Sequence, residues 1–270
     1  RPADDRTPEQ RSDDQQRYDG PPIPEDVTGK ELDRSVRQQL RSLPEKLAQR
    51  VARHLVAAGQ LLDTDPETAY QHTLAARSRA ARLAIIREAC GEAAYLAGHY
   101  AEALTELKAA RRMNGNHDYL ALIADCERAL GRPERALALA KDKAVEGLGP
   151  DTRTELLIVA SGARLDLGEA DMAAAMLEGK ELRSNDRRPS GARLKYAYAV
   201  ALLAAGRTTD ATEWFHRTVA VDSESVTDAA ERLMELEGLT LVDTRDEDEA
   251  TDAADDTADE AGTDVDRPVD

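Results

Sequence analysis

The sequence predicts an all-α fold, a right-handed α-solenoid of about five degenerate helix-turn-helix units, and three observations lead there. Aromatic residues make up only 3% of the chain, with one Trp and one Phe, so the interior must be built from small and aliphatic side chains at close helix contacts. Runs of β-branched residues with the period of two that a sheet needs are missing, and Gly and Pro fall mostly between long helical patterns. Third, alanines recur at Ala69, Ala103, Ala136, Ala173 and Ala211, with spacings of 34, 33, 37 and 38 residues, the length of two antiparallel helices and their turns.

Each unit carries two further marks. Five residues before the last four alanines stand Gly98, Gly131, Gly168 and Gly206, each placed to end a first helix, where a residue free to take positive φ lets the chain reverse. Twelve residues before the alanines stand Ala57, Gly91, Ala124, Ser161 and Ala199, all small, as two closely crossing helices require. The first unit turns differently, through Asp63-Thr64-Asp65-Pro66: Asp65 caps the second helix and Pro66 suits its first turn.

Taken in order, the chain opens with a polar, acidic tail over residues 1–24, net charge −2, followed by an N-terminal helix over 25–43. Thr28 and Glu31 make a capping-box pattern before Leu32, Val36 and Leu40, and Pro44 opens the next helix. The solenoid is expected over 44–224. Residues 225–238 then form a helix with a stripe of Val226, Ala230, Leu233, Met234 and Leu236, ended by Gly238, to cover the apolar face of a last unit with no neighbour. Residues 239–270 form an acidic tail; from 243 onward it holds thirteen acids and two arginines, too little apolar surface to offset the entropy of ordering. Of the total charge of −17, the body over 25–242 carries only −4.

From roughly Leu47 to Asp222 this pattern resembles the tetratricopeptide repeat. The best copy is Ala84–His117, where Gly91, Gly98, Tyr100, Ala103, Leu107 and Ala110 fall at the family's Gly, Tyr, Ala and aromatic-or-Leu spacing. The other copies are degenerate: the early Trp-like position reads Arg53, Arg87, Leu120, Leu157 and Lys195, and the closing Pro is Gly115 in the best copy. The whole chain is also similar to tetratricopeptide-type proteins of actinobacteria. The resemblance implies a non-enzymatic scaffold or adaptor for protein–protein interaction.

The motifs of catalysis point the same way. There is no Gly-rich phosphate loop ending in Gly-Lys-Ser/Thr, no His-Glu-x-x-His and no nucleophile elbow. The five histidines are too far apart for an i, i+4 ligand pair, and Cys90 and Cys126, 36 residues apart, read as small buried hydrophobes. No catalytic residue, cofactor or metal site is therefore expected. No apolar run reaches the ~18 residues of a membrane span, and the expected location is cytoplasmic.

In a solenoid the first helix of each pair lines the concave groove. On that face stand Glu88 and Glu92, then Asp118, Ala121 and Asp125, then Glu155, Ile158, Gly162 and Leu165, and last Tyr196, Val200 and Leu203. Such a groove begins acidic and becomes apolar, and its expected ligand is a peptide or protein segment with basic residues at one end and apolar anchors at the other. The alternative is that these are ordinary solvated and core positions. A competing expectation comes from Arg77, Arg79, Arg82 and Arg87 with Lys108, Arg111 and Arg112, a basic cluster that could meet phosphate on RNA or the ribosome. Against it, no aromatics are interleaved to stack bases, and the net charge repels polyanions. The acidic tail could also lie over this cluster.

Overall fold

A computed structural model of the chain describes residues 20–184 and 186–238. The described residues are all-helical, with twelve α-helices and one short 3-10 turn. These are α1 (Arg34–Leu40), α2 (Glu45–Leu61), α3 (Pro66–Ala80), α4 (Ala84–Leu96), α5 (Tyr100–Asn114) and α6 (Leu120–Ala129). After them come α7 (Pro133–Leu139), the 3-10 turn (Lys143–Gly147), α8 (Pro150–Asp166), α9 (Ala170–Leu177), α10 (Pro189–Ala204), α11 (Thr208–Val219) and α12 (Ala229–Glu237). The expected tails lie outside the described residues, except for residues 20–24.

The principal helix contacts all join elements that are neighbours or next neighbours in the chain. Helix α2 packs on α3, α4 on α5, α6 on α7, α8 on α9 and α10 on α11; α6 also packs on α8, α8 on α10, and α12 on α11. Ala69, Ala103, Ala136, Ala173 and Ala211 are all 0% exposed, so each recurring alanine lies at the centre of a helix contact. Gly98, Gly131, Gly168 and Gly206 take φ of 73° to 76°, the left-handed region where a Cβ would be strained. The first turn uses Asp65 instead, whose side chain accepts from the Thr68 N–H.

Gly91 shows what the second small-residue position does. A Cβ placed there would stand 2.6 Å from Cγ and Cδ2 of Leu107 and 3.3 Å from its backbone nitrogen. Leu107 is 1% exposed and has nowhere to move. Alanine at this position gains up to about 1 kcal/mol of helix propensity and loses about 1–3 kcal/mol to overpacking. We therefore expect Gly91→Ala to lower the urea midpoint with an unchanged m-value; a stabilised variant would show that α4 and α5 can part without cost.

The two longer spacings have visible causes. The interval of 37 residues carries the 3-10 turn, begun by Asp142 accepting from Ala144 N–H. The interval of 38 carries residues 178–188, whose Leu182 is buried at 2% exposure.

The N-terminal helix differs from expectation. Thr28 N–H donates to Glu31 Oε1 at 3.0 Å, the reach-back half of the capping box, but Thr28 Oγ1 accepts from Lys30 N–H and not from that of Glu31, and the helix starts only at Arg34. Gly29 intervenes with φ +87°, and a Cβ on it would stand 2.9 Å from that of Ala52. Close approach to α2 outweighs continuation of the local turn. The terminal helix α12 is also shorter, because residues 222–228 turn around Asp222, which accepts from Val226 and Thr227.

Candidate interaction groove and the charged positions

The apolar end of the expected groove comes together. Ile158, Gly162 and Leu165 of α8, Tyr196 and Val200 of α10, and Val226 line a depression of about 410 Å³. It forms because α8 packs directly on α10 while residues 222–228 rise beside both. Leu203 lies further along α10, half-buried against the core of the last helices. Tyr196 is fixed edge-on to the fully buried Phe215, ring centroids 5.7 Å apart. Arg128 reaches in from α6 and lies across Gly162, where a Cβ would meet the guanidinium carbon at 3.0 Å.

The polar positions divide into two kinds. Asp125 is engaged: it accepts from the Tyr95 hydroxyl at 2.5 Å and from Arg128 at 3.0 Å, and Arg128 also donates to Asp166 at 2.7 Å. Glu155 accepts from Arg193 at 2.5–2.9 Å. Glu88 and Glu92 differ, for among the described residues no cation stands within ion-pair distance of either. Glu88 is 6% exposed and accepts only from the Asn114 side-chain amide, at 2.8 Å. Burial, and then the charge of Glu88 one turn away, hold the Glu92 carboxyl above the usual carboxylate range. Burial raises the Tyr119 hydroxyl, and the charges of Glu92, Glu88 and Asp118 raise it further. Asp118 itself is exposed.

The basic cluster is largely neutralised by carboxylates from other helices. Arg77 of α3 and Arg87 of α4 both donate to Glu106 of α5, at 2.5 Å and 2.7 Å, and the Glu106 side chain is only 5% exposed. Lys108 of α5 meets Glu127 of α6 at 2.6 Å, and Arg132 and Arg135 approach the same carboxylate. Arg111 donates to Asp142 at 2.9 Å and to His117. Arg79, Arg82 and Arg112 are exposed. A phosphate backbone would have to break several of these pairs.

Sequence reading did not single out Arg128, Asn114, Tyr119 or the 222–228 turn. Only Arg128 carried a local signal, standing three residues after Asp125 on one helix face; the others are set by packing between helices. Cys90 and Cys126 are buried, and burial pushes their thiols up to about 11 and about 12, which keeps them protonated and unreactive near neutral pH. Among the described residues no cluster of three His, Cys, Asp or Glu side chains is placed to hold a metal ion, and no helix is long and apolar enough to cross a membrane. No protein-family model matches this chain and no curated protein matches it.

Proposed function

We propose that the chain is a tetratricopeptide-like α-solenoid of five helix pairs, α2/α3 to α10/α11, that works as a non-enzymatic cytoplasmic adaptor. The observation that carries this reading is an uneven face. The successive first helices α4, α6, α8 and α10 carry Glu88 and Glu92, the first buried and the second half-buried and neither within ion-pair distance of a cation among the described residues, at one end and the Ile158–Leu165–Tyr196–Val200 depression at the other. Chain-local packing of α6 on α8 and of α8 on α10 supports placing these residues along one groove. A partner segment with a Lys or Arg near one end and two or three apolar anchors beyond it fits both ends. The neutralised state of Arg77, Lys108 and Arg111 weighs against the RNA reading.

The test compares affinity isolations from lysate with the unaltered chain, with Glu88→Lys/Glu92→Lys, and with Val200→Asp, each with and without nuclease. The reading expects protein partners that survive nuclease and are reduced by about tenfold or more by either groove variant, the loss that ~1.4 kcal/mol or more of binding energy gives. Partners lost on nuclease treatment, or retained by both variants, overturn it.

A further inference from the structure

The guanidinium of Arg128 lies flat on α8. A Cβ built on Gly162 would stand 3.0 Å from the guanidinium carbon, 3.1 Å from Nε and 3.2 Å from Nη1. An approach within the plane would bring that Cβ closer to a nitrogen than to the carbon. The carbon is the nearest atom, so Gly162 meets the flat side of the group. Two carboxylates fix its edges, Asp166 at Nε (2.7 Å) and Asp125 at Nη1 (3.0 Å), yet the Arg128 side chain remains 37% exposed. Both acids border a second depression, with Tyr100, Gly131 and Pro133, and neither lines the one of about 410 Å³ between α8 and α10. Arg128 lines both, so it enters the apolar depression with its acids on the far side.

Ile158 and Leu165 stand one helical turn before and after Gly162, so the guanidinium plane is flanked by two aliphatic side chains, with Tyr196 and Val200 added from α10. The other two charged residues of the depression are paired, Arg193 with Glu155 at 2.5 Å and Asp228 with Arg232 at 3.5 Å. A third carboxylate brought to Arg128 by a partner would be repelled by Asp125 and Asp166. An aromatic ring has no such conflict: its face carries negative charge density and stacks on a planar cation without needing a free N–H. An aliphatic side chain gains only buried area from the same surface. Size allows the ring, since an apolar cavity of about 150 Å³ already holds benzene. We propose that the depression between α8 and α10 is a pocket for an aromatic side chain of the partner, stacked on the Arg128 guanidinium between Ile158 and Leu165. This rests on the reading of the depression as the apolar end of a partner groove and sharpens it: one anchor is a ring, and Arg128, seated on Gly162, selects it.

The test titrates the full chain with N-acetylphenylalaninamide and with N-acetylcyclohexylalaninamide, probes of nearly equal size of which the second is more apolar and has no ring quadrupole. Binding is read in ¹H–¹⁵N spectra from the Gly162 amide and the Arg128 Nε–H. The phenyl probe should move both signals and bind at least about threefold tighter than the cyclohexyl probe. Arg128→Met keeps a long apolar side chain without the cation, so the phenyl preference should fall below about twofold or invert. Gly162→Ala places a methyl where the guanidinium lies and should act in the same direction. It is the second variant if Arg128→Met, which leaves Asp125 and Asp166 without their shared cation, fails to fold by circular dichroism. Equal affinities in the unaltered chain, no shift at Gly162 or Arg128 up to the solubility of the phenyl probe, or a preference above about threefold in a folded variant would each overturn the aromatic pocket. Nuclease-resistant partners that depend on Val200, found together with no phenyl preference, would keep the groove and remove only the ring. A phenyl preference with no such partner would keep the pocket and remove the adaptor.

Discussion

Replacing Glu106 with alanine is expected to cost about 3 kcal/mol of unfolding free energy, because a buried carboxylate is removed from between two guanidinium groups. Arg77 bears most of that loss. Among the described residues its Nε is buried without a hydrogen-bond partner, its terminal nitrogen donates to Glu106 at 2.5 Å, and desolvation works against its charge. Arg87 keeps its Nε bond to the Ala81 carbonyl and suffers less. The double variant Glu106→Ala/Arg77→Ala should recover at least about 1 kcal/mol relative to the sum of the singles, since the stranded cation is gone. Urea unfolding of the four members of the cycle measures both quantities. Strict additivity would mean that the pair contributes nothing beyond its two side chains.

Phe215→Ala should cost about 3–5 kcal/mol, the range for removing a fully buried aromatic from a packed core. Phe215 is 0% exposed and sits where α10, α11 and α12 converge, with Tyr196 edge-on to it and Ala229 beside it. The loss should also be local. With the principal contacts confined to chain neighbours, a cavity under α12 removes little from α2–α5. Hydrogen exchange should accelerate over α10–α12 while amides near Ala69 and Ala103 keep their protection. Uniform acceleration along the chain would instead describe one undivided cooperative core. Tyr196 and Val200 lean on the same core, so this variant should also loosen the apolar depression.

What the sequence revealed was whatever depends on helix period and on single-residue conformation. A small residue recurring about every 34 positions reflects a crossing that no larger side chain enters, and the five buried alanines bear it out. Glycine before the last four of the five second helices reflects a left-handed backbone position, and φ above +70° is found at all four. Long-range partners were hidden. Arg77 and Glu106 are 29 residues apart and Arg111 and Asp142 are 31, so a helix that looked like an open basic surface is largely matched by acids from the next pair. The pattern that puts Glu88 on the groove face carries no sign of its burial or of its partner Asn114, 26 residues away. The segment at 20–24 had the composition of a tail, and its attachment through Gly20 and Pro24 depends on side chains of α2 that local pattern cannot reveal.

The buried carboxylates also bear on how such a chain can change length. Glu106 accepts from cations of α3 and α4, and Glu127 from Lys108 of α5 and from Arg132 in the turn before α7, while Arg128 and Arg193 each bind acids on α8. Every junction has its own acid and base, so the pairs are not interchangeable parts. Excising α4 and α5, or duplicating them, would bring an unmatched charge into a closed interface, and the array resists being lengthened or shortened by one unit even where its apolar surfaces would fit.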